Sequence, residues 1–544
     1  MGIYIDLRII PQRILPKDWE RVYQESLCLI DNYAFMDRIE AERNGLHYFY
    51  AVRARDRENL FGTGCHGWNS VGDMRTGANT EDYTLYGDIH AYLPDGQVED
   101  DGADILLAGL SGMDGIMGPA CCINIWGNKT QGEDSHIYLL AAACLIADRF
   151  PEAAMVSGDI SAGQCRRAVE WANQYLDKPV GLPVTACRER LVKRLKKSGI
   201  PADRRLKAFY ILTQEAKDAG MGAFVRREFG MEEIAGYYRK CFVRYEINQH
   251  GFSSYLREYL EMGHDFKELC RIVVSSPEGM QVPPEKFLRK IIESKLHIES
   301  KETFDYTRLS GESADCGEVD NIQKMFAKVM GLLCGAGNRN VNAFYPLERI
   351  VEDCQEVFGS RCDVSSLTES LLKEAEEKGN EDILQSVLYD DADSVCRQDA
   401  LRKSRRACEE EKYDINSYRE LPDFIPGCRV RPELEEDIVK NFRILHQFAG
   451  EAFEEFRALD RVQRESYFIR NNQNILLHEE VWDIIFEKIM DDAYIKRIYS
   501  LFNVNCGEKD GYTFCRNMFA SLQALDYYWD KAEEMQGPEG GTYF

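Results

Sequence analysis

Along the first 180 residues the spacing of apolar positions changes repeatedly. "GIYIDLRII" alternates and is rich in isoleucine, which predicts an opening strand. After Pro16, the residues Trp19, Val22, Tyr23, Leu27 and Ile30 recur at helical spacing, so "KDWERVYQESLCLIDNYA" predicts a helix. "LHYFYAVRAR" is aromatic and β-branched and predicts a second strand. Residues 59–97 are dense in Gly, Asn, Asp and Tyr and read as loops with short strands. "ADILLAGL" and "CCINIWG" read as buried strands. "EDSHIYLLAAACLIADRF" reads as a helix with Asp134 as its N-cap, "AAMVSGDI" as a short strand, and "SAGQCRRAVEWANQYL" as a helix. In the last of these, Ser161 and Gln164 have the spacing of a capping box. The run over 121–176 has the element order of a parallel βαβ unit.

From residue 185 onward the pattern is almost wholly helical. "ACRERLVKRLKKSG" stops at Gly199, two residues before Pro201. Helices follow over 206–219, 231–242, 253–262, 265–274 and 284–294. "ESKETFDYTRLSGESADCGEVD" is polar, acidic and without period, which marks a linker over 299–320. Helices resume at 321–333, and the glycines of "GLLCGAGNRNV" read as a helix stop. "SLTESLLKEAEEKG" carries a second capping-box spacing, Ser366 with Glu369, and a Gly379 stop. "PDFIPGCRVRP" reads as a hinge. The expected fold class is α+β, with α/β as its alternative, for an N-terminal domain over 1–184, followed by a large, mainly α-helical remainder. That remainder divides into a helical domain over 185–298, the linker, a C-terminal helical domain over 321–536 and a frayed tail over 537–544. No fixed-period repeat occurs.

Charge narrows the partners. The 544 residues carry 92 Asp and Glu against 67 Lys and Arg, a formal net charge of −25. Such a chain is repelled by polyphosphate at long range, which disfavours nucleic acid. The one basic helix, "RERLVKRLKKSG", lacks interleaved aromatic residues on which bases would stack. The 18 cysteines contain no C-x-x-C pair, so zinc-ribbon and thioredoxin-type chemistry lose their main sign. The opening residues lack the pattern of a secretory leader, and the longest apolar run, "YLLAAACLIA", is far short of the ~20 residues that span a bilayer. The expected compartment is a reducing cytoplasm with free thiols and no membrane association.

One motif asks for chemistry directly. "LFGTGCHGWNSVGDM" holds a full G-x-G-x-x-G at Gly62, Gly64 and Gly67. A dinucleotide site needs a helix directly after the glycines, to aim its N-terminus at the pyrophosphate. Gly67 instead leads into "WNSVGDMRTGANT", whose glycines and asparagines oppose a helix. A kinase-type loop needs Val where Asn69 stands, and no G-x-x-x-x-G-K-[ST] occurs. The glycines therefore read as turns between short strands. "YDDADSVCRQDA" lacks the Gly and Glu of a calcium loop. No cofactor or metal site is predicted.

The remaining candidates lie in the N-terminal domain. Cys65 and His66 are a thiol and an imidazole, but as strand neighbours they point to opposite faces. A nucleophilic Cys65 needs a base from elsewhere, such as His90 or His136. Asp73, Arg75, Glu81, Asp82, Asp88 and His90 form the densest run of polar chemistry, suited to acid–base work or a hard cation, and equally to turns closed by Asp and Asn side chains. Asp159 sits between a strand and a helix start, where Ser161 and Gln164 offer ligand-binding groups. No set completes a catalytic signature. The expected function is a non-enzymatic, multidomain interaction protein whose N-terminal domain recognises a ligand or protein partner. The alternative is a hydrolase or transferase with its site in the Gly/Asp-rich loops. Whether the chain is an enzyme, and its oligomeric state, stay open at this point.

Overall fold

The computed structural model describes residues 3–74, 77–93, 99–113, 116–299, 341–378, 439–440, 442–443, 453–472, 475–503, 518–519 and 522–534. Residues 300–340, with most of the acidic linker and the helix expected at 321–333, lie outside them. So do Gly379, the calcium-like stretch, the Pro-rich hinge and the tail. The chain divides into two compact units. The first comprises Met1–Val22, Tyr92–Gly132 and His136–Asp390, the second Tyr23–Ala91, Glu133–Ser135 and Asp391–Phe544.

The first unit is built on a three-stranded sheet of order β6-β1-β7. Its strands are β1 (Tyr4–Ile9), β6 (Ile123–Lys129) and β7 (Ala154–Gly158). Alternation in β1 is clean: Ile5, Leu7 and Ile9 are buried, while Tyr4, Asp6 and Arg8 are half-buried. β6 connects to β7 through helix α2 (Ser135–Arg149), whose residues Leu139 to Ile146 are essentially inaccessible. The two strands run parallel, as the βαβ order predicts, but they do not pair. β1 lies between them and is antiparallel to both. An opening strand inserted into a later crossover is invisible to element order alone. After β7, α3 (Ala162–Ala172) starts on the expected capping box: Gln164 N–H donates to Ser161 Oγ at 3.2 Å, and Ser161 N–H to Gln164 Oε1 at 2.9 Å.

The second unit holds a four-stranded antiparallel sheet of order β3-β2-β4-β5. Its strands are β2 (Phe35–Arg43), β3 (Leu46–Arg53), β4 (Gly67–Asp73) and β5 (Ala78–Tyr86). Helix α1 (Pro16–Asp31) precedes them, and its Ser26 Oγ accepts from Trp68 Nε1 of β4 at 3.0 Å. Both sheets are antiparallel, so the N-terminal region is α+β rather than α/β. "ADILLAGL" is not a strand. Asp104 accepts from Leu106 N–H and caps a 3-10 helix over Ile105–Leu110.

The described part of the remainder is mostly helical, as expected. In the first unit α4 (Arg188–Leu195), α5 (Ala202–Leu212), α6 (Ala219–Phe229), α7 (Met231–Phe242), α8 (His250–Glu261), α9 (Phe266–Cys270) and α10 (Pro284–Glu293) follow in order. Then come α11 (Leu347–Phe358) and α12 (Val364–Lys378). The expected 206–219 helix stops at Leu212, and α6 begins only at Ala219, where Asp218 accepts from Met221 N–H. α12 starts earlier than its sequence suggests. Asp363, not Ser366, caps it, accepting from both the N–H and the hydroxyl of Ser366.

In the second unit α13 (Arg461–Asn471), α14 (Glu479–Lys488), α15 (Asp492–Phe502) and α16 (Leu522–Glu534) enclose an aromatic core around Phe468, Trp482, Phe502 and Trp529. The β2–β3 hairpin docks on this bundle. The Tyr48 ring lies tilted at 57° against Trp482, 4.9 Å between centroids, and Trp482 Nε1 donates to Phe49 O at 3.1 Å. Glu465 of α13 is buried and accepts from Arg43 Nη2 at 2.8 Å and Asn44 Nδ2 at 2.9 Å.

Candidate functional site

The glycine run closes a loop instead of opening a helix. Arg57 and Gly67 exchange both backbone hydrogen bonds, at 2.9 and 3.0 Å, and Leu60 N–H donates to Cys65 O inside them. Leu60 is fully buried and anchors the loop. Gly62 and Gly64 have φ of +73° and +77°, which only glycine adopts without strain. Gly67 opens β4, where a Cβ would stand 2.6 Å from Leu85 O. The chain enters a strand directly, so no helix N-terminus exists here to hold a phosphate. What the loop does is display Phe61. This residue has φ +54° and ψ +25°, a left-handed conformation that is strained for a bulky side chain, and it is 55% exposed.

Phe61 is one end of a chain of contacts across the sheet. The Arg57 guanidinium lies over its ring at 5.4 Å, and Arg57 Nη2 is 3.2 Å from Asp37 Oδ2. Asp37, at the start of β2, is 1% exposed. Its Oδ1 accepts from Arg38 N–H at 2.7 Å and from the Asn69 amide at 2.9 Å. Asn69 of β4 is wholly buried, donates also to Asp82 Oδ1 at 3.3 Å, and accepts from Thr84 Oγ1 at 2.8 Å. Asp82 Oδ2 meets Arg38 Nη2 at 3.4 Å. The Arg38 guanidinium in turn lies 5.0 Å from the ring centroid of Phe49, which is 43% exposed. Two exposed phenylalanines are thus each held against an arginine, and the two arginines are joined through Asp37, Asn69 and Asp82.

Burial pushes the Asp37 carboxyl up from its ordinary value. The Asn69 hydrogen bond, the Arg57 charge and the Arg38 N–H oppose this, and the nearby Asp82 adds to it. Arg57 Nε and Nη2 are buried without an aligned acceptor, so its contact with Asp37 is one of charge. Asp37 is closed to solvent, and its carboxylate is taken up by Arg38, Asn69 and Arg57. The network fixes two guanidinium planes and two rings on a rigid sheet, an arrangement suited to recognition.

Of the residues singled out in the sequence, Asp82 belongs to this network and Glu81 lies exposed beside it on β5. Asp73, at the end of β4, is buried and accepts from Tyr33 Oη at 3.0 Å. Cys65 and His66 lead into β4, with the His66 ring edge-on to Tyr23 at 5.1 Å. His90 is exposed, its Nδ1 2.7 Å from Asp88 Oδ1. Arg75 lies outside the described residues. His136 and Asp159 belong to the first unit. Thr130 Oγ1 lies 3.2 Å from Ile3 O and 2.7 Å from His136 Nδ1, so the buried imidazole is hydrogen-bonded to the Thr130 hydroxyl. Burial holds this histidine neutral, its pKa pulled down to about 4. Asp159 exchanges backbone-anchored bonds with Tyr4. Its charge also helps raise the Asp6 carboxyl, behind the larger effect of burial and against Arg8. Ser161 and Gln164 are occupied in their capping box.

Asp37, Arg38, Arg57, Asn69, Phe49 and Phe61 were not among the sequence candidates. One was legible: an aromatic residue set between polar turns and glycines has no core to enter, and "LFGTG" marks Phe61. Among the described residues no three His, Cys, Asp or Glu side chains converge as metal ligands do. Nor, among them, is any helix long and apolar enough to cross a membrane. No family model, curated protein or solved structure matches this chain.

Proposed function

We propose that this chain is a non-enzymatic interaction protein whose N-terminal α+β region recognises a protein partner through the Phe61–Arg57 and Phe49–Arg38 surface. One observation carries the reading: two exposed rings, one on a strained backbone, are each fixed against a guanidinium by a buried polar network. Aromatic residues and arginine dominate the energetics of protein interfaces, and strained backbone concentrates at functional positions. The net charge of −25 makes nucleic acid a poor partner and a neutral or basic protein surface a good one. Eleven described cysteines are free thiols, which supports a reducing, cytoplasmic setting. The alternative of a hydrolase or transferase draws no support from Asp73 and His136, whose polar atoms are turned inward.

Native mass spectrometry of the full chain, purified gently from its source, tests the proposal against the double variant Phe49→Ala/Phe61→Ala. Both positions are exposed, so the variant keeps its fold. A protein retained at fixed stoichiometry by the parent and lost from the variant is the expected result. A partner retained equally by both would move the interface elsewhere. A retained metabolite or nucleotide would revive the enzymatic reading.

A further inference from the structure

We infer that Asn44 is a site of spontaneous deamidation, and that its conversion loosens the β2–β3 hairpin from α13. Asn44-Gly45 is the only Asn-Gly in the sequence. It forms the two-residue turn between β2 and β3, with φ of +54° and +74°, closed by the Arg43–Leu46 pair. Both residues are exposed, and nothing lies within 4 Å of where a Gly45 Cβ would stand. Gly45 brings no Cβ of its own to crowd the following peptide, and beyond its chain neighbours nothing stands where one would be.

The chemistry needs only water. The Gly45 nitrogen, giving up its proton to hydroxide, forms a bond to Asn44 Cγ. The Cγ–Nδ2 bond breaks, and the amide nitrogen leaves as ammonia, taking a proton back from solvent. Water then opens the five-membered imide at either carbonyl. One product is aspartate. The other is isoaspartate, in which the main chain runs through Cβ and Cγ and gains one methylene.

The consequence is set by what the amide does now. Asn44 Nδ2 donates to Glu465 Oε2 at 2.9 Å, beside the Arg43 pair at 3.0 and 2.8 Å. Arg43 foremost, with Asn44 and Arg461, holds the Glu465 carboxyl below its ordinary range, so it is charged. Either product removes the Nδ2 donor and adds a negative charge to the turn, and aspartate sets its carboxylate directly against that of Glu465. Isoaspartate also breaks the two-residue turn whose twist matches the strands. The Glu465 bond ties the amide in place, so it restrains the attack as well as depending on the amide.

The test is to age the purified full chain in mildly alkaline buffer and map asparagines by peptide mass spectrometry, with isoaspartyl methyltransferase labelling. Hydrogen exchange is followed over residues 35–53 and 461–471. Asn44 is expected to convert before the exposed Asn32 and Asn59, with loss of exchange protection in both segments. Asn44→Asp is expected to reproduce the loss without ageing, and Asn44→Gln, which cannot close the five-membered ring, to resist both. Glu465→Gln is expected to speed conversion. Persistence of Asn44 while other asparagines convert would overturn the assignment. Conversion with unchanged protection would overturn its coupling to α13.

Discussion

Asn69 shows how much one buried amide can decide. Its NH2 faces two carboxylates, Asp37 and Asp82, while its oxygen receives the Thr84 hydroxyl. Only this orientation of the amide satisfies all three neighbours. Asn69→Asp keeps the shape and reverses the chemistry, because three carboxylates then crowd one buried spot. The expected loss is on the order of 3 kcal/mol of unfolding free energy near neutrality, shrinking as the pH falls and the carboxyls protonate. Urea unfolding at neutral and mildly acidic pH reads both parts. A loss within about 0.5 kcal/mol, the range of ordinary surface changes, would mean that the network does not hold the sheet. Of this network only Asp82 stands out in the sequence. Asp37 and Asn69 are 32 positions apart, and they meet only because β2 and β4 pair at Phe35–Asp73 and Met36–Gly72. Local pattern carries no information about such a register.

At the scale of elements, the legible parts were those whose signals are local. The alternation of β1, the stripe of α1 and the box at Ser161 each depend on neighbours within one or two turns. β2 escaped because "FMDRIEAER" is rich in Glu, Arg and Ala, which favour helix, and only its first three residues are buried. Asn44-Gly45, the strongest short-range hairpin signal, was nevertheless present beside it. The G-x-G-x-x-G likewise resolves into three unlike glycines. Gly62 and Gly64 have positive φ and open space around the missing Cβ, so Gly→Ala at either is expected to cost about 1 kcal/mol, the strain of the left-handed conformation. Gly67 has no positive φ, but its Cβ would meet the Leu85 carbonyl, so Gly67→Ala must part β4 from β5 and is expected to cost about 3 kcal/mol. Thermal melts of the three variants should rank them so. Equal costs would mean that the loop acts as a unit, as a ligand-cradling loop does.

For the whole molecule, acid sensitivity follows from two histidines buried at different places in the first unit. His136 is held neutral by burial, and His264 by burial first and then by Arg226, whose Nη1 lies 3.4 Å from its Nδ1. Tyr238 and Tyr259 pack on the His264 ring. Each pKa falls from 6.5 to about 4. The folded pKa is depressed, so the unfolded chain takes up protons first. The stability each neutral ring secures is fully present above 6.5 and is lost as the pH falls toward 4, on the order of 3 kcal/mol apiece. Asp37, in the second unit, has the opposite sign: its carboxyl is raised, so acidification relieves the cost of keeping it charged. Acid should therefore weaken the contacts around His136 and His264 while sparing those around Asp37. Hydrogen exchange across the range from neutral to about pH 4 is expected to show protection lost first at residues 130–146 and 256–270, and later at 35–43 and 67–73. His136→Gln and His264→Gln should each flatten the pH dependence of unfolding, whatever they do to stability at neutrality. An unchanged slope in both variants would place the acid trigger outside these rings, and an early loss at 35–43 would locate it in the carboxylate network instead.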